Sequence, residues 1–252
     1  MFILPINRDA RPAGTPWVTL SLIVVNSVLW VLPTVLGVNH RLILEYGYRP
    51  GAATFLTLFT SMFLHGGFWH LAGNMWFFWM FAPKIEDRLG SFWFIVTYLL
   101  CGLGGQGLHT LFSPGSLIPT VGASGAISGV AGMYFVLYPR SPFDLVLYFG
   151  WWVRKSFRAT TRGAIGTWIG EQFLLGLIFK AIGGSGVGIA FWAHVSGFAS
   201  GLLCAATILP RATAEEREMI LRPKPLSQEE KEEIFADREE KLSGLTTLNL
   251  NG

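Results

Sequence analysis

Along this chain, polar residues thin out six times. Apolar runs occupy positions 17–36, 68–82, 92–112, 124–138, 164–182 and 187–209. Most approach the roughly 20 residues that a helix needs to cross about 30 Å of hydrocarbon. None alternates with the two-residue period of a barrel strand, and backbone in lipid must satisfy its own hydrogen bonds. Each run therefore predicts a transmembrane helix. The first is too long for a signal peptide and lacks a small-residue cleavage site. Runs 68–82 and 124–138 are fifteen residues each, about 22 Å of helix, and stop short of a full crossing. Their outer ends are expected below the outer surface, reached by chain that dips inward. The 113–123 segment, with Pro114, Gly115, Pro119 and Gly122, suits such a loop. The expected architecture is an all-α, six-helix membrane bundle over residues 1–210, with a charged cytoplasmic tail over 211–252.

Composition sharpens this reading. Hydrophobic residues make up 51% of the chain and charged ones 14%, against about 25% charge in a soluble domain. Disorder, a disulfide scaffold and a soluble nucleic-acid binder are excluded for the bulk of the molecule, so no nucleic-acid partner is expected. The net charge of +3 divides into +6 before residue 211 and −3 after it. Arg8 and Arg11 precede the first run, and Lys84, Arg88, Arg140, Arg154, Lys155, Arg158 and Arg162 fall between runs on the same side, whereas the 113–123 and 183–186 loops carry no charge and the 37–60 loop has only Arg41 and Arg49 as basic residues. Positive charge stays inside, which places both termini in the cytoplasm. Trp17, Trp93, Trp151 and Trp152 then form an inner aromatic belt. In the tail, Thr213 with Glu216 and Ser227 with Glu230 are possible capping boxes, and the 229–241 charge run reads as a solvated face. Cys101 and Cys204 both sit in apolar runs. Oligomeric state has no signature in the sequence.

Ionisable and polar groups inside spans are costly and functional by default. Here they are His65, His70, Asn74, Ser124 and His194, with Glu171 and Lys180 in the fifth run. Depth follows from counting residues up from each inner end. Ser124 lies sixteen residues above Arg140, or about 24 Å. His194 lies seventeen above Arg211, about 25 Å. His70 comes to about 21 Å and Asn74 to about 15 Å on the same rise. Ser124, His194 and His70 thus reach one level. Gly197 and Gly201 form a small-residue face just after His194, and Gly125 and Gly129 form another just after Ser124. Such faces let helices approach closely in lipid. Packing them together would bring the hydroxyl toward the imidazole.

A serine becomes a nucleophile when an adjacent base takes its proton, and His194 is the base available. No Asp lies in any run, and Glu171 sits too near the inner end to orient His194, so a dyad is expected rather than a triad. An oxyanion would need donors. His70 and Asn74 share a helical face, and the Ser124 N–H, opening a helix, has no intrahelical acceptor.

These residues resemble the rhomboid intramembrane serine proteases. The matches are His65-x4-His70-x3-Asn74, Gly122-Ala123-Ser124-Gly125 and Ala193-His194-x2-Gly197-x3-Gly201, with Glu86 and Arg88-Leu89-Gly90 similar to the family's loop after the second span. The resemblance implies cleavage of substrate transmembrane helices near their outer ends, with Ser124 as nucleophile and His194 as general base. It assigns His70 and Asn74 to the oxyanion hole and makes His65 a supporting residue near the cavity mouth. Lipid and transmembrane-helix proteins are the implied partners, no cofactor or metal is required, and the compact chain is similar to bacterial members of the cytoplasmic membrane. Two features depart from the pattern. Some members carry a Tyr four residues after the serine, where this chain has Ser128, and the Trp-Arg pair of the first outer loop is represented only by Tyr48-Arg49. Three other functions stand beside this one. A transporter predicts paired half-spans and a charged pathway, and neither is evident. A zinc site on His65, His70 and His194 wants a further ligand at that level, and none is found. A catalytically inactive relative that binds membrane proteins would be expected to lack Ser124 or His194.

Overall fold

The structure, a computed structural model, describes residues 2–7, 12, 14–149, 152–181 and 191–208. The tail beyond 208 with its capping boxes and its expected domain boundary, the 183–186 loop, Arg8, Arg11 and Trp151 lie outside the described residues.

The described residues are mostly helical. The helices are α1 (Trp17–Val35), α2 (Asn39–Tyr46), α3 (Phe55–Thr60), α4 (Phe68–Leu89), α5 (Ser91–Phe112), α6 (Ser124–Leu137), α7 (Thr161–Ala181) and α8 (Phe191–Ile208). α1 and α5 are long and apolar enough to cross a membrane, while α6 is apolar but shorter, at 14 residues. Along α1, Val24, Val25, Val28, Leu29, Val31, Leu32 and Val35 are all exposed. An apolar surface of that extent suits contact with lipid. This is a membrane protein.

Three features differ from the expected all-helical bundle. First, three strands, β1 (Phe2–Asn7), β2 (Pro142–Phe149) and β3 (Trp152–Thr160), form an antiparallel sheet in the order β1-β2-β3. The stretch between α6 and α7 is rich in aromatic and β-branched residues, which favour a pleated surface. Phe143 anchors the sheet, its ring 5.6 Å from Phe81 of α4 and 6.3 Å from Tyr134 of α6. Second, α4 extends to Leu89 and is 22 residues long, where the apolar run alone predicts an end at position 82. The helix continues through Pro83 because its last two turns have something to bury: Ile85 is fully buried, and Glu86 is nearly so. Third, the 37–60 connection contains α2 and α3.

Glu86 explains why those last turns of α4 matter. No side chain of α1's own caps its start, where Pro16 precedes the helix, so its first N–H groups need acceptors. The Glu86 carboxylate takes the Val18 N–H at 2.8 Å, the Thr19 N–H at 2.8 Å and the Thr19 hydroxyl at 2.7 Å. It also accepts the Ser91 hydroxyl at 2.8 Å, across the turn at Gly90 that joins α4 to α5. One negative charge at a helix N-terminus ties three helices together.

The core of the bundle is α5, α6 and α8, packed through backbone. A Cβ on Gly197 would collide with the Gly125 carbonyl, one on Gly201 with the Gly129 carbonyl, and one on Gly132 with the Phe198 carbonyl. On α5, Gly105 lies against Gly125 and Ala193, and the Ser196 hydroxyl of α8 donates to the Gly104 carbonyl.

Replacing Glu86 by Ala removes the acceptor of four hydrogen bonds in a buried place. The expected cost is about 3 kcal/mol, read as a lowered midpoint of unfolding in detergent micelles.

Candidate active site

Three helices begin at the same place. His70 is the third residue of α4, Ser124 the first of α6 and His194 the fourth of α8. Ser124 Oγ lies 2.9 Å from His194 Nε2, and both residues are half-buried. The close approach of α6 and α8 accounts for this distance, since His194 stands three residues before Gly197 and Ser124 one before Gly125. His70, Asn74, Ser124 and His194 all line one open cavity of about 400 Å³, walled also by Trp69, Phe77 and Trp168.

Gly122 is needed for two reasons. Its φ of 124° lies where side chains are strained, and a Cβ there would stand 2.8 Å from His70 Nε2 and 3.7 Å from Asn74 Nδ2. The glycine lets the α4 side chains come up against the backbone that leads into Ser124. The Gly66 N–H donates to His70 Nδ1 over a long 3.4 Å, which leaves Nε2 to carry the proton and act as donor. Asn74 spends one amide hydrogen on the His70 carbonyl at 2.9 Å and keeps the second. No side chain caps α6, so its first N–H groups and the positive end of its dipole stay near Ser124. His70, Asn74 and Ser124 thus present their donors along the same cavity wall.

A second cavity of about 30 Å³ also touches Ser124, lined by polar groups of Tyr48, Ser61, Gln106, His109 and Thr120. It has room for one or two water molecules. The 113–123 loop closes over it. Tyr48 and Thr120 exchange backbone hydrogen bonds at 3.0 and 2.7 Å, the Gly122 N–H donates to the Ser61 carbonyl at 2.9 Å, and Gln106 Nε2 donates to Ser61 Oγ at 2.9 Å. Tyr48, a loose match by sequence, is thus a buried fastener of the loop beside the site.

His65 does not stand at the cavity mouth. It is fully buried in the connection ahead of α4, and its ring meets that of His70 edge-on at 5.2 Å. Neither ring nitrogen has a hydrogen-bond partner. Glu171 is exposed. Among the described residues, no group of three or more His, Cys, Asp or Glu side chains is placed to hold a metal.

How His194 is held differs from the resemblance. Ser128 gives its hydroxyl to the Ser124 carbonyl at 2.6 Å. The neighbours of the imidazole come instead from α7: Gln172 Oε1 lies 2.8 Å from His194 Nδ1, and the Trp168 ring lies 6.0 Å away. Sequence reasoning passed over Gln172, although an amide inside an apolar span is a signal of the kind that singled out Asn74.

The Rhomboid domain family model matches residues 52–211, and the chain belongs to the rhomboid family. It is 33% identical over 143 residues to the putative rhomboid protease YdcA of Bacillus subtilis (strain 168), a stretch covering 54% of this chain and 70% of that protein. It is 28% identical over 208 residues to rhomboid protease GluP of the same organism, covering 80% of this chain and 37% of GluP. Rhomboid-like protease 3 of Toxoplasma gondii is 32% identical over 120 residues, covering 46% of this chain and 45% of its own. The chain therefore spans less than half the length of the Toxoplasma relative.

The helix contact can be tested without reference to activity. Gly197→Val should cost about 1–3 kcal/mol by forcing α6 and α8 apart. Gly170→Ala on α7, where a Cβ meets nothing within 4 Å, should leave the unfolding midpoint unchanged or raised.

Proposed function

We propose that this protein is an intramembrane serine endopeptidase that cleaves transmembrane segments of other membrane proteins near their outer ends. The observation that carries this reading is the 2.9 Å contact between Ser124 Oγ and His194 Nε2 at the edge of an open cavity. His194 Nε2 takes the hydroxyl proton as Ser124 Oγ attacks the scissile carbonyl. The carbonyl oxygen gains the negative charge, met by His70 Nε2–H, the free Asn74 amide hydrogen and the Ser124 N–H. Collapse of this intermediate breaks the C–N bond, and His194 returns the proton to the leaving amine. The acyl group stays on Ser124 until water, deprotonated by the same imidazole, releases it. The small cavity behind Ser124, with Ser61, Gln106, His109 and Thr120 among its lining residues, offers such water a place to wait.

In this reading the body crosses the membrane six times with both termini in the cytoplasm, as the distribution of Lys and Arg favours. The cavity then opens toward the outer face, and a substrate helix must partly unwind to present its peptide bond. The kinship with proteins named as proteases supports the activity, and the presence of both Ser124 and His194 weighs against an inactive binder.

The test is reconstitution of the full chain with a helix-bearing substrate. The parent should cleave and should be labelled at Ser124 by a fluorophosphonate, while Ser124→Ala should do neither. Cleavage by the variant at the parent's rate would refute the nucleophile, and a parent that is never labelled would favour a binding role. Replacing either His70 or Asn74 by Ala should lower kcat about 10–1000-fold, the range for loss of one oxyanion donor. An unchanged rate would remove that residue from the site.

A further inference from the structure

α7 presents a stripe of four residues, each four apart. Trp168 lies beside the His194 ring, and Gln172 is bonded to His194 Nδ1. Gly176 sits against Trp192, where a Cβ would come within 3.2 Å of the indole, and Lys180 Nζ lies 4.4 Å from the centre of the Phe112 ring. Residues so spaced share one helical face, and this face docks on the start of α8 and the end of α5. Trp192 extends the dock, stacked on Phe112 at 3.9 Å and edge-on to Phe173 at 5.8 Å. Gln172 is the member of the stripe that meets the candidate base directly.

We infer that Gln172 is a positioning residue, a neutral third member that holds His194 in its productive tautomer and orientation through the Nδ1–H···Oε1 hydrogen bond. The inference rests on the protease reading above. An imidazole has two equivalent choices for its proton until a partner decides between them. A carbonyl oxygen at Nδ1 accepts and cannot donate, so it fixes the proton there and leaves the Nε2 lone pair facing Ser124 Oγ. The same bond stops rotation about the histidine side chain. With Ser128 committed to the Ser124 carbonyl, the serine helix meets the ring only through Ser124 at Nε2 among the described residues, and α7 takes the Nδ1 side. Because the bond crosses from α7 to α8, the base is set only while α7 is docked.

The experiment uses the full chain in proteoliposomes with a transmembrane substrate, comparing the parent with Gln172→Leu, Gln172→Glu and Glu171→Gln. Leu keeps the bulk and removes the acceptor, whereas Glu keeps the length and an acceptor oxygen. Gln172→Leu should lose roughly 10–100-fold in kcat, within the range of correctly placed acid–base catalysis, with KM and the unfolding midpoint little changed. Fluorophosphonate labelling of Ser124 should slow in the same proportion. Gln172→Glu should recover most of the lost kcat at a lowered unfolding midpoint, because the carboxylate is costly to bury, and Glu171→Gln should match the parent. An active parent with Gln172→Leu at the same kcat overturns the inference. So do equal losses in the Leu and Glu variants, which would mark a packing role only. A parent that neither cleaves nor is labelled at Ser124 overturns the protease reading itself, a distinct result.

Discussion

Two helices in hydrocarbon gain little by hiding apolar side chains from one another, because lipid tails are just as apolar. What holds them is close packing, and backbone can meet backbone only where side chains are missing. The contact of α6 with α8 is of this kind: Gly125 and Gly129 face Gly197 and Gly201 so closely that a single added methyl group would collide with a carbonyl. Ser124 and His194 extend from the ends of this contact. Their 2.9 Å separation follows from the interhelical distance, and a few tenths of an ångström of separation would weaken the hydrogen bond. The site has little slack because its foundation has none.

The other two walls are attached differently. α4 reaches α6 through aromatic rings, with Phe81 5.2 Å from Tyr134, and it reaches α1 and α5 through the Glu86 carboxylate. α7 reaches α8 through Trp168, Gln172 and Gly176 and α5 through Lys180, while its Phe173, Leu174, Leu177 and Ile178 remain exposed. A rigid glycine-packed centre therefore carries the serine and histidine, and two side-chain-packed helices bring up the remaining groups. His70 and Asn74 come from one of them and Gln172 from the other.

Much of this was legible in the sequence, because a membrane makes position readable. Depth is linear in residue number, polar groups in lipid stand out, and counting alone set Ser124, His194 and His70 at one level. Glycine spacing then indicated which helices meet. What escaped the sequence reading followed other rules. The last turns of α4 form because Ile85 and Glu86 find burial, which hydropathy does not register past Pro83. The sheet lies in a stretch whose charges advertise a loop while its aromatics form strands. Gln172 escaped because charge drew attention to Glu171, one residue away on the exposed face. The offset between helices compounds this: Gln172 lies nine residues before the end of α7 and His194 three after the start of α8. Counted from those two helix ends, the residues differ by about 9 Å, yet their side chains are bonded.

An amide in that position has a physical logic. In a soluble serine protease a buried carboxylate orients the histidine and stabilises the imidazolium that forms. Within a bilayer a carboxylate carries a heavy desolvation cost throughout the resting state, when the imidazole is neutral and returns no charge pairing. A glutamine supplies the same acceptor geometry with no ionic cost, and it gives up the added electrostatic help during turnover. Orientation is thereby kept and charge stabilisation is lost. In the proposed mechanism that shifts the burden of stabilising the reacting charge toward the oxyanion side, to which the proposal assigns His70, Asn74 and the Ser124 N–H. On the proposed reading, a neutral orienting group and an oxyanion pocket with several donors are two halves of one solution.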